Sequence, residues 1–136
     1  MASFVYDSVL NDVARGNIDF DSDSYKILLV TSSYTASKTA HAKRSSVTNE
    51  ITGTGYTAGG AAIVCTLSDD TAKKILTFAS TSWATATFTA AAAVIYKARG
   101  GASSADELIA YLDFSGSVSA SASTFSVSAT VITLSN

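Results

Sequence analysis

Proline, cysteine and charge are all scarce in this sequence. Its 136 residues include no proline and one cysteine, Cys65. The turns must therefore be built from Gly, Asn, Asp and Ser, and no disulfide can form within the chain. Only 15% of the residues are charged, whereas about a quarter are charged in a typical domain. Since 47% are hydrophobic, much of the surface must consist of Ser, Thr, Ala and apolar atoms, which suits contact with other proteins.

The charge balance and the absence of long apolar runs exclude two classes of partner. A net charge of −2 gives no electrostatic footprint for nucleic acid or for an anionic membrane. No run approaches the roughly 18 apolar residues of a membrane span, and the N-terminus lacks the pattern of a signal peptide. We therefore expect a single domain over residues 1–136 that is made in the cytoplasm and binds neither nucleic acid nor membrane directly.

Motifs that carry chemistry are also missing. Residues 53–60 are rich in glycine but lack the spacing of a dinucleotide or phosphate loop, and no Gly-x-Ser-x-Gly elbow occurs. The only histidine, His41, has too few neighbouring ligands for zinc. The acidic residues 19, 21 and 23 begin like a calcium loop, but Ser24 and Val30 stand where Gly and Glu are required. The sequence predicts no enzyme, no cofactor and no metal site.

A cluster of glycines is the most distinctive local feature. Four of the eight glycines lie within residues 47–62, where they surround Tyr56. Glycine reaches positive φ and lets another backbone approach closely. Thr-rich and apolar alternations flank the cluster, over residues 47–52 and 61–67. We predict a shaped turn that joins two strands, with Cys65 buried in the second of them.

Period-two alternation recurs along the rest of the chain. The strands predicted from it cover residues 25–31, 73–78, 82–89, 92–97 and 108–114, and a helix is predicted over residues 7–15, with Asp7 or Ser8 as N-cap, Gly16 just beyond its end, and Val9, Leu10 and Val13 on its apolar face. Strands at intervals of about eight to fourteen residues are typical of an all-β sandwich or barrel. The helix belongs to an N-terminal arm, residues 1–16.

The C-terminal section contains no charged side chain after Asp113. Phe125, Val127, Ala129 and Val131 alternate with Ser and Thr, which predicts a strand with one buried face. Ile132 and Leu134 would then lie on its opposite face, at an interface. An uncharged strand makes a hazardous free edge, so we expect it to lie inside a sheet or to pair with another subunit.

Two further segments are candidate contact surfaces. The apolar run Phe4, Val5 and Tyr6 is either a plug on the domain's own core or an arm that reaches a neighbouring subunit. Residues 35–46 carry four cationic or ionisable groups, and they form either a solvated face or a patch for phosphate or acidic protein. The candidate interface residues are Phe4, Val5, Tyr6, Lys38, His41, Lys43, Arg44, Gly53, Gly55, Tyr56, Ile132 and Leu134.

Three segments together resemble a family of small head proteins of tailed bacteriophages. They are residues 16–35, residues 49–60 with the sequence Asn-Glu-Ile-Thr-Gly-Thr-Gly-Tyr-Thr-Ala-Gly-Gly, and the pair 93–97 and 108–114. The resemblance implies a jelly-roll-like antiparallel β-sandwich of about eight strands that serves as a capsid cement or decoration protein. Its expected partners are the major capsid protein and itself, as a homo-oligomer with a dimer favoured over a trimer, on the outer surface of the capsid.

An alternative from another class remains open. A receptor- or carbohydrate-binding module of a phage tail or fibre would present aromatic rings to sugars. Tyr34, Tyr56, Trp83 and Tyr96 are the candidates for that role, although each falls in a strand or turn where packing in the core is the more common use of an aromatic ring.

Overall fold

The computed structural model describes residues 2–135 and consists almost entirely of β-strands. One short helix, α1 (Ser8–Ala14), is present, together with single 3₁₀ turns at Arg44–Ser46 and Ser103–Ala105. The strands are β1 (Phe4–Val5), β2 (Tyr25–Val30), β3 (Ala61–Ile63), β4 (Cys65–Asp70), β5 (Lys73–Phe78), β6 (Thr81–Lys97), β7 (Leu108–Val127) and β8 (Thr130–Ser135). The prediction of an all-β sandwich with about eight strands and a short N-terminal helix is confirmed.

The strands form two antiparallel sheets. The larger has the order β1-β7-β6-β2-β3 and the smaller has the order β4-β5-β8. A long hairpin of β6 and β7 dominates the larger sheet, with pairing that runs from Thr81 and Val127 to Tyr96 and Leu108. Of the 17 residues of β6, only residues 92–97 pair with β2. The remainder of the hairpin, residues 81–91 and 114–127, therefore projects beyond β2, and we call it the ribbon.

Hydrophobic side chains lie on both faces of the larger sheet. Successive residues of β2 show this, because Ile27 and Leu29 belong to the core between the two sheets while Leu28 and Val30 belong to a second cluster on the opposite face. Tyr34, from the segment after β2, covers that second cluster. Since a strand buried on both faces shows a continuous apolar run rather than alternation, the arrangement explains the sequence Tyr-Lys-Ile-Leu-Leu-Val.

Several predicted strand boundaries are wrong, and irregularities within the strands explain most of them. The two strands predicted at 82–89 and 92–97 are one strand, and β7 continues through the Ser-rich segment without interruption. Register shifts interrupt the β6–β7 pairing, and Thr85, Ser115 and Ala122 have positive φ. Each such bulge changes which face the next residue occupies, so the alternation appears to stop. Residues 47–52 form no strand and make a single bridge, between Val30 and Glu50.

The helix forms as predicted but buries a different face. Asp7 lies at its N-cap position and Gly16 follows its end with φ of 77°. Val9 and Asp12 are buried, whereas Leu10 is 74% exposed and Val13 is 40% exposed. The prediction that Leu10 and Val13 share the buried face with Val9 is therefore wrong, because the helix contacts the sheets along a narrower stripe.

The C-terminal strand also differs from the prediction. The chain leaves β7 after Val127, and β8 joins the smaller sheet by pairing with β5. Ile132 is buried and Leu134 packs against the core, whereas Val131 is 59% exposed. The expected faces are therefore reversed beyond residue 128, because the connection between β7 and β8 breaks the alternation. Strand β8 lies at the edge of its sheet.

Candidate functional site

The N-terminal arm packs on the protein's own core. Val5 pairs with Ala110, and the ring of Phe4 stacks on that of Tyr111 with 5.2 Å between centroids. Tyr6 is buried, and its hydroxyl lies 3.0 Å from the hydroxyl of Tyr34. Burial, followed by the hydrogen bond to Tyr34, raises the pKa of Tyr6. Of the two interpretations of this arm, the structure shows the plug.

Two cations of the predicted basic loop form ion pairs with acidic residues far away in the sequence. Lys43 Nζ lies 3.0 Å from Glu107 Oε2, and Arg44 Nε lies 2.7 Å from Asp106 Oδ2. Arg99 donates a further pair of hydrogen bonds to the two carboxylate oxygens of Glu107, at 2.9 and 3.0 Å. These ion pairs hold the 98–107 connection of the long hairpin against the loop. We call these five residues, three cations and two carboxylates, the ion-pair cluster.

Glu107 is ionised at neutral pH despite its burial. Both Asp106 and Glu107 are only 2% exposed. Burial by itself raises the pKa of Glu107, but hydrogen bonds from Arg99 and Lys43 outweigh it and lower the pKa to about 2. A carboxylate with such a pKa, with both oxygens bound to cations, suits a structural anion and not a proton donor at neutral pH. The ion-pair cluster therefore fixes the end of the hairpin.

The other two groups of the loop also have partners within the chain. Lys38 Nζ lies 3.5 Å from Asp7 Oδ1, between two exposed side chains. His41 Nδ1 lies 2.9 Å from the hydroxyl of Tyr34, which in turn contacts Tyr6. All four candidate residues of the loop thus contribute to the fold, and of the four cationic or ionisable groups only Lys38 has an exposed partner.

The glycine turn covers an edge of the larger sheet. Where β6 extends beyond β2, Thr54 bridges to Thr87 and accepts a hydrogen bond from its amide at 3.0 Å. A Cβ atom on Gly53 would lie 2.6 Å from the carbonyl oxygen of Thr87, and one on Gly55 would lie 3.0 Å from that of Thr85. Only glycine permits so close an approach. The predicted turn is present, but only its C-terminal side leads into a strand.

Tyr56 fastens this turn to the core. Its hydroxyl donates to Glu50 Oε2 at 2.6 Å and accepts from the backbone amide of Leu29 at 3.1 Å. The same carboxylate oxygen accepts from the amide of Gly59 at 2.7 Å. Burial, followed by the hydrogen bond to Glu50, raises the pKa of Tyr56. Tyr56 therefore acts as a structural anchor of the turn.

The ribbon presents an uncharged surface, and none of the candidate interface residues lies on it. Residues 81–91 and 114–127 contain no charged side chain. On the face turned away from the core, the hydroxyls of Thr89 and Ser119 are 2.7 Å apart, and the amide of Ala122 donates to Thr87 Oγ1 at 2.9 Å. The sequence contains a signal for this polar face, because Thr85, Thr87 and Thr89 alternate in the same way as the Ser residues of 115–123.

Among residues 2–135, no group of three or more His, Cys, Asp or Glu side chains could hold a metal ion. No helix in that range is long and apolar enough to cross a membrane. Cys65 is only partly buried, contrary to the prediction of a buried side chain, and it packs against the main core. Burial raises the pKa of its thiol to about 11.

Comparison of the chain with protein-family models, with curated proteins and with solved structures found no match.

Proposed function

We propose that this protein is a structural protein of a tailed-bacteriophage head, a cement or decoration protein that bridges major capsid protein subunits on the outside of the shell. The resemblance of the three sequence segments suggests the class. The observation that carries the proposal is the ribbon, whose two strands present an uncharged surface. Such a protein needs no reactive group. It needs a stiff body that contacts two capsid subunits, so that separating them also breaks its own contacts.

The ribbon face has the properties that this role requires. Its side chains are mainly Ser, Thr and Ala, which lose little rotamer entropy when they are buried. Depletion of charged residues is also typical of the centres of protein interfaces. Hydrogen bonds across the two strands, such as that between Thr89 and Ser119, hold the surface in one arrangement before binding. We therefore assign the capsid contact to the ribbon face in place of the basic loop and the N-terminal arm.

The size of the domain is compatible with this role. A standard protein interface buries about 1,600 Å² in total, and the protein has 6859 Å² of accessible surface. A cement protein that contacts several capsid subunits at once gains an effective concentration on the order of millimolar for each further contact. Each individual contact can therefore be weak while the shell is stabilised strongly.

The carbohydrate-binding alternative finds less support. Tyr34, Trp83 and Tyr96 are buried, and Tyr56 is held by Glu50 beneath the turn. A ring stacks on a sugar only when one of its faces is accessible. None of these four rings is placed as an open platform, so we retain the head protein as the proposal.

Binding to capsid shells tests the proposal. Wild-type protein should co-sediment with shells assembled from the major capsid protein. Ser119→Glu places a charge at the centre of the ribbon face and should reduce that occupancy by tenfold or more. Ser68→Glu is the matched control, since Ser68 is an exposed residue of β4 in the other sheet. Immunogold label should cover the head.

Two outcomes would contradict the proposal in different ways. Wild-type protein that fails to co-sediment, with gold label confined to the tail, would exclude the cement function. Equal occupancy for Ser119→Glu and Ser68→Glu, with wild-type binding intact, would leave the cement function standing and would remove the ribbon face as the contact.

A further inference from the structure

Strand β8 is an open sheet edge. It pairs with β5 on one side, and no strand within residues 2–135 pairs with its other side. Alternate residues of an edge strand direct their backbone N–H and C=O groups outward, where they can pair with another strand. Strand β8 is six residues long, Thr-Val-Ile-Thr-Leu-Ser, and it carries neither charge nor proline. Nothing in its sequence blocks a further strand from pairing there.

The other sheet edges are short, charged, covered or irregular. Strands β1 and β3 are two and three residues long, and β4 ends in Asp69 and Asp70. The glycine turn covers the free part of β6 at Thr87. The free part of β7 is interrupted by residues with positive φ, Ser115 and Ala122 among them. These are the usual protections of an edge. Strand β8 is longer than β1 and β3, carries no charge and has no residue with positive φ.

Exposed apolar side chains gather beside this same edge. Within residues 2–135, five large hydrophobic residues are exposed. Val131 lies on β8, and Leu10, Val13 and Val118 each border a groove that at least one residue of β8 also lines. Leu10 borders a groove of about 380 Å³ with Ile132 and Leu134. Val118 borders another groove of about 380 Å³ with Thr130. One groove therefore lies at each end of β8, and Asp7 and Lys38 also line the one beside Leu10.

We propose that a second copy of this chain occupies this edge, through antiparallel pairing of β8 with β8 about a two-fold axis. The two three-stranded sheets would then join into one sheet of six strands. The pairing is possible because an antiparallel pair can be formed by two identical strands. With the axis at Ile132 or Thr133, residues of the same face lie opposite each other, so that Ile132 and Leu134 of both copies continue one buried face.

The charge pattern favours a second copy over a foreign strand. Self-pairing places the residues nearest the axis beside their own duplicates, so a charge in the middle of β8 would meet a like charge and weaken the dimer. Strand β8 has no charge, whereas β4, at the other edge of the sheet, has two aspartates. The two-fold axis also brings the Val118 end of one copy near the Leu10 end of the other.

The expected dimer is weak and depends on concentration. A six-residue strand is about 20 Å long, and the two grooves extend the contact beyond it. Interfaces below the standard size, under about 1,200 Å² in total, are typical of transient association. In the proposed head protein, dimerisation through the uncharged edge would join two ribbon faces, and two faces contact more capsid subunits than one. Its biological role rests on that proposed function, but its existence does not.

Sedimentation equilibrium of the isolated protein tests this proposal without any capsid. The wild type should approach twice the 14.0 kDa chain mass as its concentration rises. Thr133→Lys places like charges across the two-fold axis and should weaken the dimer by tenfold or more. Thr66→Lys is the matched control, because Thr66 is exposed on β4 of the same sheet. Circular dichroism checks that both variants fold, and Val131→Lys replaces Thr133→Lys if the latter does not.

Hydrogen exchange adds a second measurement. The amides of β8 should become more protected at high protein concentration in the wild type and in Thr66→Lys, but not in Thr133→Lys. A wild type that stays monomeric at every concentration would overturn the proposal, as would equal dimerisation of the two lysine variants. Protection of β8 only on capsid shells would identify the edge as a capsid contact instead. Loss of shell binding with dimerisation intact would refute only the proposed function.

Discussion

Replacing Glu107 with glutamine should destabilise the protein in a pH-dependent way. The variant keeps the shape of the side chain but removes the charge that Arg99 and Lys43 contact. The pKa of Glu107 falls from 4.5 to about 2 in the folded protein, and at about 1.36 kcal/mol for each pH unit this difference corresponds to roughly 3–4 kcal/mol before screening. Since the side chains of Lys43 and Arg99 are 36% and 39% exposed, solvent screening reduces the expected loss to roughly 1–2 kcal/mol.

The sign of the pH dependence follows from the lowered pKa. A carboxyl whose pKa is lower in the folded state stabilises the fold above its unfolded pKa, here 4.5. That contribution disappears as the pH falls from about 5 towards the folded value of about 2. The wild type should therefore lose stability over this range, whereas Glu107→Gln has no charge to lose at this position. The difference between the two proteins should shrink steadily with acidification.

Urea denaturation at pH 7, 4 and 2.5, followed by tryptophan fluorescence, measures this difference. Asp70→Asn provides a control at an exposed carboxylate of β4, where we expect a change within about 0.5 kcal/mol. Equal stability of wild type and Glu107→Gln at pH 7 would refute the reasoning. A difference that persists unchanged at pH 2.5 would show that shape, and not charge, is what Glu107 contributes.

Two further substitutions, one control substitution and one reagent test the packing. Gly60→Ala would drive a Cβ atom into a backbone carbonyl of β2, and we expect urea denaturation to show a loss of about 2–4 kcal/mol. Gly100→Ala has nearly the same positive φ with open space around it, so it should lose only about 1 kcal/mol. Tyr56→Phe leaves the buried amide of Leu29 without its side-chain acceptor, and its melting curve should reveal a loss of about 1–3 kcal/mol. Because burial raises the pKa of Cys65 to about 11, iodoacetamide at pH 8 should label the native thiol far more slowly than the unfolded one, and equal rates would contradict that burial.

The fold class could be predicted because it depends on local patterns. The continuous apolar run of β2 and the cap and stop signals of α1 are each set by neighbouring residues. The wrongly predicted strand boundaries have a common cause. Bulges near Thr85, Ser115 and Ala122 shift the alternation of β6 and β7, and a period-two pattern cannot anticipate an inserted residue.

The candidate surfaces were harder to predict than the strands. The cations of residues 35–46 predict an exposed patch. In the structure, however, Arg44 and Lys43 form ion pairs with Asp106 and Glu107, which lie more than sixty positions away in the sequence. Sequence alone gives no signal for such a pairing, because neither partner lies in a recognisable motif. The apolar residue Ile132 was placed on the wrong face for a similar reason, since the connection after β7 moves the chain to the other sheet.

The crossing of β8 to the smaller sheet has a consequence for the order of folding. The β6–β7 hairpin joins neighbouring segments, whereas β8 must return to β5 from the far side of that hairpin. Contacts between distant segments form late because closing a long loop is entropically unfavourable. Strand β8 should thus be the last to dock and the first to detach, and its release would uncover Ile132 and Leu134 to any neighbouring chain.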